Sequence, residues 1–246
     1  MSLPVHVVPT LGGVTVGATV EVTGDEAHHA VAVRRLRVGE PVVLTDGAGR
    51  SVTGEVASTG KRVFAVTVAA ISDGARPEPE LVVVQALPKG DRGELAVEML
   101  TEVGAARIVP WAAARSVAVW KGERAVKSLA RWRSTAREAA KQARRSWFPQ
   151  VDELASTADV SALLGAASLG VVLHEEASVP LASLEVPAAG PVVVVVGPEG
   201  GLTEAEVATF AAAGASSVRL GAEVLRTSTA GVAAAAALLS RTPRWS

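Results

Sequence analysis

Pro191-Val-Val-Val-Val-Val-Gly197-Pro-Glu-Gly-Gly201-Leu-Thr203-Glu-Ala-Glu206 is the stretch that decides the fold. The run of valines is β-branched and apolar throughout, which suits a strand buried on both faces rather than one with a wet side. Gly197–Gly201 then reads as a tight turn, and Thr203 with Glu206 three residues later is a capping box that opens a helix. A turn at the carboxyl end of such a strand lies where open α/β sheets bind ligands, and glycine lets a backbone approach a ligand with no Cβ between them. Taken alone, Gly200-Gly201 is at least as well explained by a plain strand-to-helix turn. Neither G-x-x-x-x-G-K-[ST] nor G-x-G-x-x-G is present, which argues against nucleoside triphosphate binding.

Leu220-Gly-Ala-Glu-Val-Leu-Arg-Thr-Ser-Thr-Ala230 has the same character. It follows a strand pattern at Ser217–Leu220, places Gly221 at the strand end, and offers Thr227–Thr229 as caps for a helix over Leu225–Ser240. Upstream, strand and helix alternate. Leu81–Leu87 is a continuous apolar run, Asp91–Val103 spaces Leu95, Met99, Leu100 and Val103 helically, and Ile108–Trp111 is a strand. Glu123–Arg145 follows as a long basic helix, then a strand at Leu169–Leu173. The alternation predicts an α/β parallel sheet with helices on both faces.

The first part of the chain reads differently. Short Val/Thr-rich runs at Val14–Val22, Pro41–Leu44, Ser51–Val56 and Val63–Ala70, with turns such as Asp46-Gly47, predict a small β-barrel. Ala27–Leu36 interrupts them as one short helix. Gly74, Pro77 and Pro79 make Asp73–Glu80 a hinge, so the expected domains are residues 1–73 and 74–246.

With 49 % apolar residues the chain can bury a real core. Its formal net charge of −1 conceals an asymmetry. Arg115–Arg145 holds ten Lys/Arg against Glu123 and Glu138, whereas Gln150–Ser246 holds four basic and ten acidic residues. A solvated helix face accounts for part of the basic segment, and contact with nucleic acid phosphates for the excess. Cysteine is absent, which excludes disulfides, thiolate metal sites and Cys nucleophiles. His6, His28, His29 and His174 form no ligand-like pattern, so no metal is expected. No leader pattern or bilayer-length apolar run is evident, so no membrane partner is expected and the predicted location is cytoplasmic.

The two loop motifs in this order resemble the RsmE family of SPOUT methyltransferases, which methylate N3 of a uridine in 16S rRNA of the small ribosomal subunit. The similarity extends along the chain. Leu87-Pro-Lys-Gly-Asp-Arg92 with Thr101-Glu-Val-Gly104 resembles the family's first strand-helix unit, and Ala114-Arg-Ser-Val117 its R-S-V strand end. Arg131-Trp132 and Glu138–Arg145 resemble its basic helix, and His29, Val33–Arg35, Gly39 and Asp46-Gly47 its PUA-like β-barrel. The sequence departs from the family pattern at Ala222-Glu223, where a Pro-Arg pair is usual, and at Ser228, where Glu is usual.

The resemblance implies an N-terminal PUA-like β-barrel that binds RNA and a C-terminal SPOUT α/β domain with a trefoil knot. It also implies S-adenosylmethionine as cofactor and a homodimer whose partner subunit completes each active site. The implied cofactor loops are Leu173, His174 and Glu175; Gly197, Pro198, Glu199, Gly200 and Gly201; and Leu220, Gly221, Leu225, Arg226, Thr229 and Ala230. For catalysis, Arg226 and Arg115 are the candidates to meet negative charge, because guanidinium stays charged and presents a planar fork. His174 is an alternative base or a structural residue, and Glu199 a base, a ribose ligand or a cap. RNA-facing candidates are His29, Arg34, Arg35, Arg37, Lys89, Arg92, Gln142 and Arg145. Two other activities fit parts of the pattern: a catalytically silent RNA-binding assembly factor, and a SPOUT enzyme acting on a ribose 2′-hydroxyl or a tRNA base.

Overall fold

The computed structural model describes residues 3–245, which form two compact units. The first comprises the chain up to Arg76 together with Lys141–Phe148, and the second Pro77–Ala140 with Pro149 onward. The return of Lys141–Phe148 to the first unit was not foreseen, because its contacts are made with residues far away in sequence.

In the second unit the strands are β6 (Glu80–Ala86), β7 (Arg107–Trp111), β8 (Gln150–Val151), β9 (Leu169–Leu173), β10 (Pro191–Val196) and β11 (Ser216–Val218). They lie in the order β11-β9-β10-β6-β7-β8, and every pairing is parallel. β10 is central, which explains its valines. Val192, Val194 and Val196 enter one core with Leu100, Trp132, Ala234 and Leu238, while Val193 and Val195 enter another with Trp111, Val160 and Phe210. All five are buried, each worth roughly 1.5–3 kcal/mol relative to exposure.

Helices α2 (Arg92–Val103), α3 (Gly122–Gln142) and α6 (Thr227–Leu239) supply the first core, and α4 (Thr157–Gly165) and α5 (Glu204–Ala212) the second. Gly231 lets α6 lie close on the sheet: a Cβ there would stand 3.1 Å from Val196 and 3.4 Å from Leu100. The connection after β9 is bonded across the end of β11, with Leu181 N–H donating to Arg219 O (2.9 Å) and Arg219 N–H to Val179 O (2.8 Å). Past that crossing the chain returns to α6, which packs on α2, β6 and β10.

α4 and β8 were not anticipated. β8 is only two residues long. α4 does carry a capping box, Ser156 with Asp159, but the short Asp stands where Glu or Gln is the usual signature. α3 stops at Gln142 rather than Arg145, and Arg144 takes a left-handed φ of 53°.

The first unit is a five-stranded mixed sheet, curled as a half-barrel, in the order β1-β3-β4-β5-β2. Its strands are β1 (Val5–Val7), β2 (Thr19–Thr23), β3 (Pro41–Thr45), β4 (Arg50–Thr59) and β5 (Val63–Asp73). β1 pairs parallel with β3, and the other pairings are antiparallel. Bulges after Thr53 and Val56 bend β4, and Gly54 is required there, since a Cβ would lie 2.2 Å from Thr67 O. The expected helix over Ala27–Leu36 is instead α1 (Gly24–His28), followed by a π-helical turn at His29–Val33 that ends in Arg35 at φ 57°. Trp147 stacks on Gly49 and donates its ring N–H to Gly74 O (2.8 Å), while Phe148 N–H donates to Gly47 O (2.9 Å).

Lys141 is buried in this unit, with its Nζ 2.9 and 3.0 Å from the two Glu26 oxygens, and His6 Nδ1 lies 3.3 Å from Glu26. Burial alone would raise the Glu26 pKa; the hydrogen bonds from His6 and Lys141 outweigh it and hold the carboxyl at about 2.

Candidate functional site

Because the sheet of the second unit is parallel, the loops after β11, β9, β10, β6 and β7 leave from one edge. That edge gathers all three implied cofactor segments: Leu173–Glu175 after β9, Gly197–Gly201 after β10, and Leu220–Ala230 between β11 and the first turn of α6. Lys89 and Arg92 arrive there after β6, and Arg115 after β7.

The Gly197–Gly201 turn is held from several sides. Gly201 has φ +71° and donates its N–H to Pro198 O (2.9 Å). Arg115 Nη1 donates to Gly200 O (3.1 Å) and Leu202 O (3.2 Å). A Cβ at Gly200 would meet Arg115 Cβ at 3.1 Å and Arg115 O at 3.3 Å, so this glycine admits Arg115 rather than sparing room for a ligand. Glu199 accepts from Lys89 N–H (3.3 Å) and lies 3.5 Å from Arg92 Nη1. The expected capping box forms, with Glu206 Oε2 accepting from Thr203 N–H and Oγ1–H, and Glu206 Oε1 also accepting from Ala114 N–H (2.8 Å). That last bond carries no local sequence signal.

His174 Nδ1 accepts the backbone N–H of Glu176 (3.2 Å) in a turn closed by Ala177 N–H to His174 O, so half of its imidazole is in structural use. Glu175 and Gly221 are exposed, and Leu220 and Ala230 pack on the core. Arg226 stands at the N-cap of α6, its carbonyl accepting from Thr229 N–H (2.8 Å) and Ala230 N–H (2.9 Å), while its exposed side chain has no hydrogen bond or ion pair among the described residues. The first turn of α6 has no side-chain cap, and Thr227 Oγ1 is buried there without a hydrogen-bond partner among the described residues. The caps expected at Thr227–Thr229 are thus not formed: the N-cap is Arg226, and Thr227 lies inside the first turn.

Much of the basic segment is already engaged. Arg131 reaches Glu94 (3.4 Å), Arg133 reaches Glu153 (2.9 Å), Lys127 reaches Glu123 (3.6 Å), and Lys141 is buried with Glu26. Summing formal charges therefore overstates the free field of α3. In the first unit His29, Arg34, Arg35, Arg37 and Gln142 are exposed, whereas Arg145 Nε donates to Trp147 O (2.9 Å). Among the described residues no three His, Asp or Glu are grouped to hold a metal ion, and no helix is long and apolar enough to cross a membrane.

Comparison with known proteins matches this architecture. A family model described as RNA methyltransferase domain covers residues 76–239, and one described as RNA methyltransferase PUA domain covers 22–68. Ribosomal RNA small subunit methyltransferase E of Mycobacterium tuberculosis (strain CDC 1551 / Oshkosh) is 44 % identical over 93 % of this chain and 89 % of its own. The protein of that name from Bacillus subtilis (strain 168) is 32 % identical over 91 % of each. A crystal structure of Ribosomal RNA small subunit methyltransferase E from Neisseria gonorrhoeae, bound to S-adenosyl methionine, has a TM-score of 0.86 at 27 % identity, covering 97 % of this chain and 98 % of that one. The fold is accordingly the knotted SPOUT α/β domain together with a PUA-like half-barrel. The chain belongs to the RNA methyltransferase family, in the branch of Ribosomal RNA small subunit methyltransferase E.

Proposed function

We propose that the chain methylates N3 of a uridine in 16S rRNA of the small ribosomal subunit, with S-adenosylmethionine as methyl donor. The observation that carries this reading is the convergence of Leu173–Glu175, Gly197–Gly201 and Leu220–Ala230 on one sheet edge, in a chain 44 % identical to a small-subunit rRNA methyltransferase. The residues fit such a cofactor. Thr227 Oγ1 is a buried hydroxyl without a hydrogen-bond partner among the described residues, at the uncapped helix start within the Leu220–Ala230 segment, and suits a polar ligand atom.

When bound, the sulfonium supplies an already activated methyl group. The protein's own residues then have two tasks. The three loops hold the donor in line with the base, and positioning of this kind contributes a large share of the rate. Uracil N3 becomes nucleophilic only as its proton leaves, so negative charge grows on the flanking carbonyls. Arg226, exposed at the mouth of the site, is the group that meets this charge. His29, Arg34, Arg35, Arg37 and Gln142 in the first unit, and Lys89 and Arg92 in the second, provide contacts to the RNA backbone. The same reading makes the enzyme cytoplasmic and a homodimer. Exposed Val224 and Leu225 at the site's edge support a covering partner subunit.

The test is to incubate purified protein and S-adenosylmethionine with small subunits from cells lacking the gene, and to identify the product nucleoside by mass spectrometry. 3-Methyluridine is expected. A 2′-O-methyl nucleoside, a modified tRNA base, or salt-sensitive RNA binding with no methylation would each overturn the assignment.

A further inference from the structure

We propose that Arg115 is a positioning residue, which sets the shape of the Gly197–Leu202 turn before any cofactor arrives, and is not a group that touches the reacting atoms. This rests on the cofactor reading of that turn. Arg115 Nη1 bonds the carbonyls of Gly200 and Leu202, the two peptide oxygens that bracket Gly201. Gly201 is the residue in the left-handed region, so the Gly200–Gly201 peptide on its N-terminal side is free to flip unless held, and the Leu202–Thr203 peptide leads from the turn into the helix cap. One donor nitrogen fixes both.

The arginine is itself fixed at its root. Its Cβ and carbonyl would stand 3.1 and 3.3 Å from a Cβ at Gly200, so its stem lies flat against the turn. The preceding residue donates its N–H to Glu206, whose other oxygen caps the helix that the turn leads into. Arg115, the turn, Thr203, Glu206 and Ala114 therefore make a closed ring of hydrogen bonds across loops that are far apart in sequence. Such a ring orders the backbone ahead of binding and removes that ordering cost from the affinity. A guanidinium donating to neutral carbonyls also polarises those peptides, which strengthens the N–H groups on their other side as donors.

The experiment compares wild type, Arg115→Ala and Arg115→Lys in S-adenosylmethionine affinity by calorimetry, kcat at saturating cofactor, rRNA affinity against salt, and hydrogen exchange of the 200–203 amides. For Arg115→Ala, cofactor affinity is expected to fall on the order of tenfold and those amides to exchange faster, with kcat and the salt slope close to wild type. Arg115→Lys, which keeps the charge but not the fork, should fall between and carries the test if the alanine variant does not fold. A large loss of kcat at unchanged cofactor affinity would make Arg115 catalytic and overturn the proposal. So would weaker rRNA binding with the salt slope reduced by about one, the mark of a lost phosphate contact. If the wild type binds no cofactor, the parent reading and the affinity claim both fall, while the exchange rates still decide whether Arg115 holds the turn.

Discussion

Replacing Glu206 by alanine should destabilise the second unit far more than a helix cap ordinarily would. The side chain is 4 % exposed and accepts three hydrogen bonds, from Thr203 N–H at 2.8 Å, Thr203 Oγ1–H at 2.9 Å and Ala114 N–H at 2.8 Å. Loss of an N-terminal cap costs about 1 kcal/mol, and a hydrogen bond to a charged acceptor about 1.5–3 kcal/mol. Thr203 is half-buried and Ala114 exposed, so water recovers part of this, leaving a net loss of roughly 3 kcal/mol. For a unit of this size that is a fall in Tm of roughly 6–12 °C. Asp159→Ala is the internal control. It removes the same kind of capping box from α4, where both partners are on Ser156 and exposed, and should cost only about 1 kcal/mol. Glu206→Gln should lie between, because its amide NH2 must face a donor. The assay is urea unfolding with calorimetry on all four proteins. A Glu206→Ala variant within about 0.5 kcal/mol of wild type, or no worse than Asp159→Ala, would refute the account of Glu206 as a tie between two loops.

Gly200→Ala should weaken cofactor binding modestly and Gly200→Val strongly, through collision with Arg115, so Arg115→Ala should partly restore Gly200→Ala; additive losses in calorimetry would refute this. Arg226→Ala should lower kcat by one to three orders of magnitude with cofactor affinity nearly unchanged, and parallel losses in steady-state kinetics would assign it to cofactor binding. Glu26 is held at about 2, below its ordinary 4.5, so its stabilising ionisation is complete above about pH 4.5 and is lost as pH falls toward 2. Wild type should therefore lose more stability across that window than Glu26→Gln, and matching acid-unfolding curves would refute it. Gly49→Ala should cost more than about 2 kcal/mol, since φ is +103° and a Cβ would lie 2.6 Å from the Trp147 ring; a near-native Tm would contradict the packing described.

The α/β unit was readable because its signals are local. Val192–Val196 names a two-sided buried strand, and Thr203 with Glu206 names a helix start, within a few residues each. What stayed hidden depends on contacts between distant positions. No window around Arg115 shows that its guanidinium serves the carbonyls of Gly200 and Leu202, and none around Lys141 shows that it is buried against Glu26. Charge counting treated every lysine and arginine of α3 as a surface cation. Gly200 was read as leaving space for a ligand, whereas its bare Cα admits Arg115, a distinction that spacing alone cannot draw. That the three candidate loops share one edge was legible, because a parallel sheet sends every carboxyl end to the same side.

The first unit is assembled from two pieces of chain, and this imposes an order on biosynthesis. A ribosome that has made only the half-barrel strands has not yet made Trp147, which covers Gly49, or Lys141, which pairs with half-buried Glu26. Between Arg76 and Lys141 it must translate β6, α2, β7 and nearly all of α3. The nascent half-barrel therefore waits, with Glu26 held by His6 but still lacking its lysine and with a bare glycine at its rim, until a portion of its neighbour has been synthesised. Residues 1–76 expressed alone would be a permanent version of that waiting state, whereas joining Lys141–Phe148 to them through a short linker would finish it.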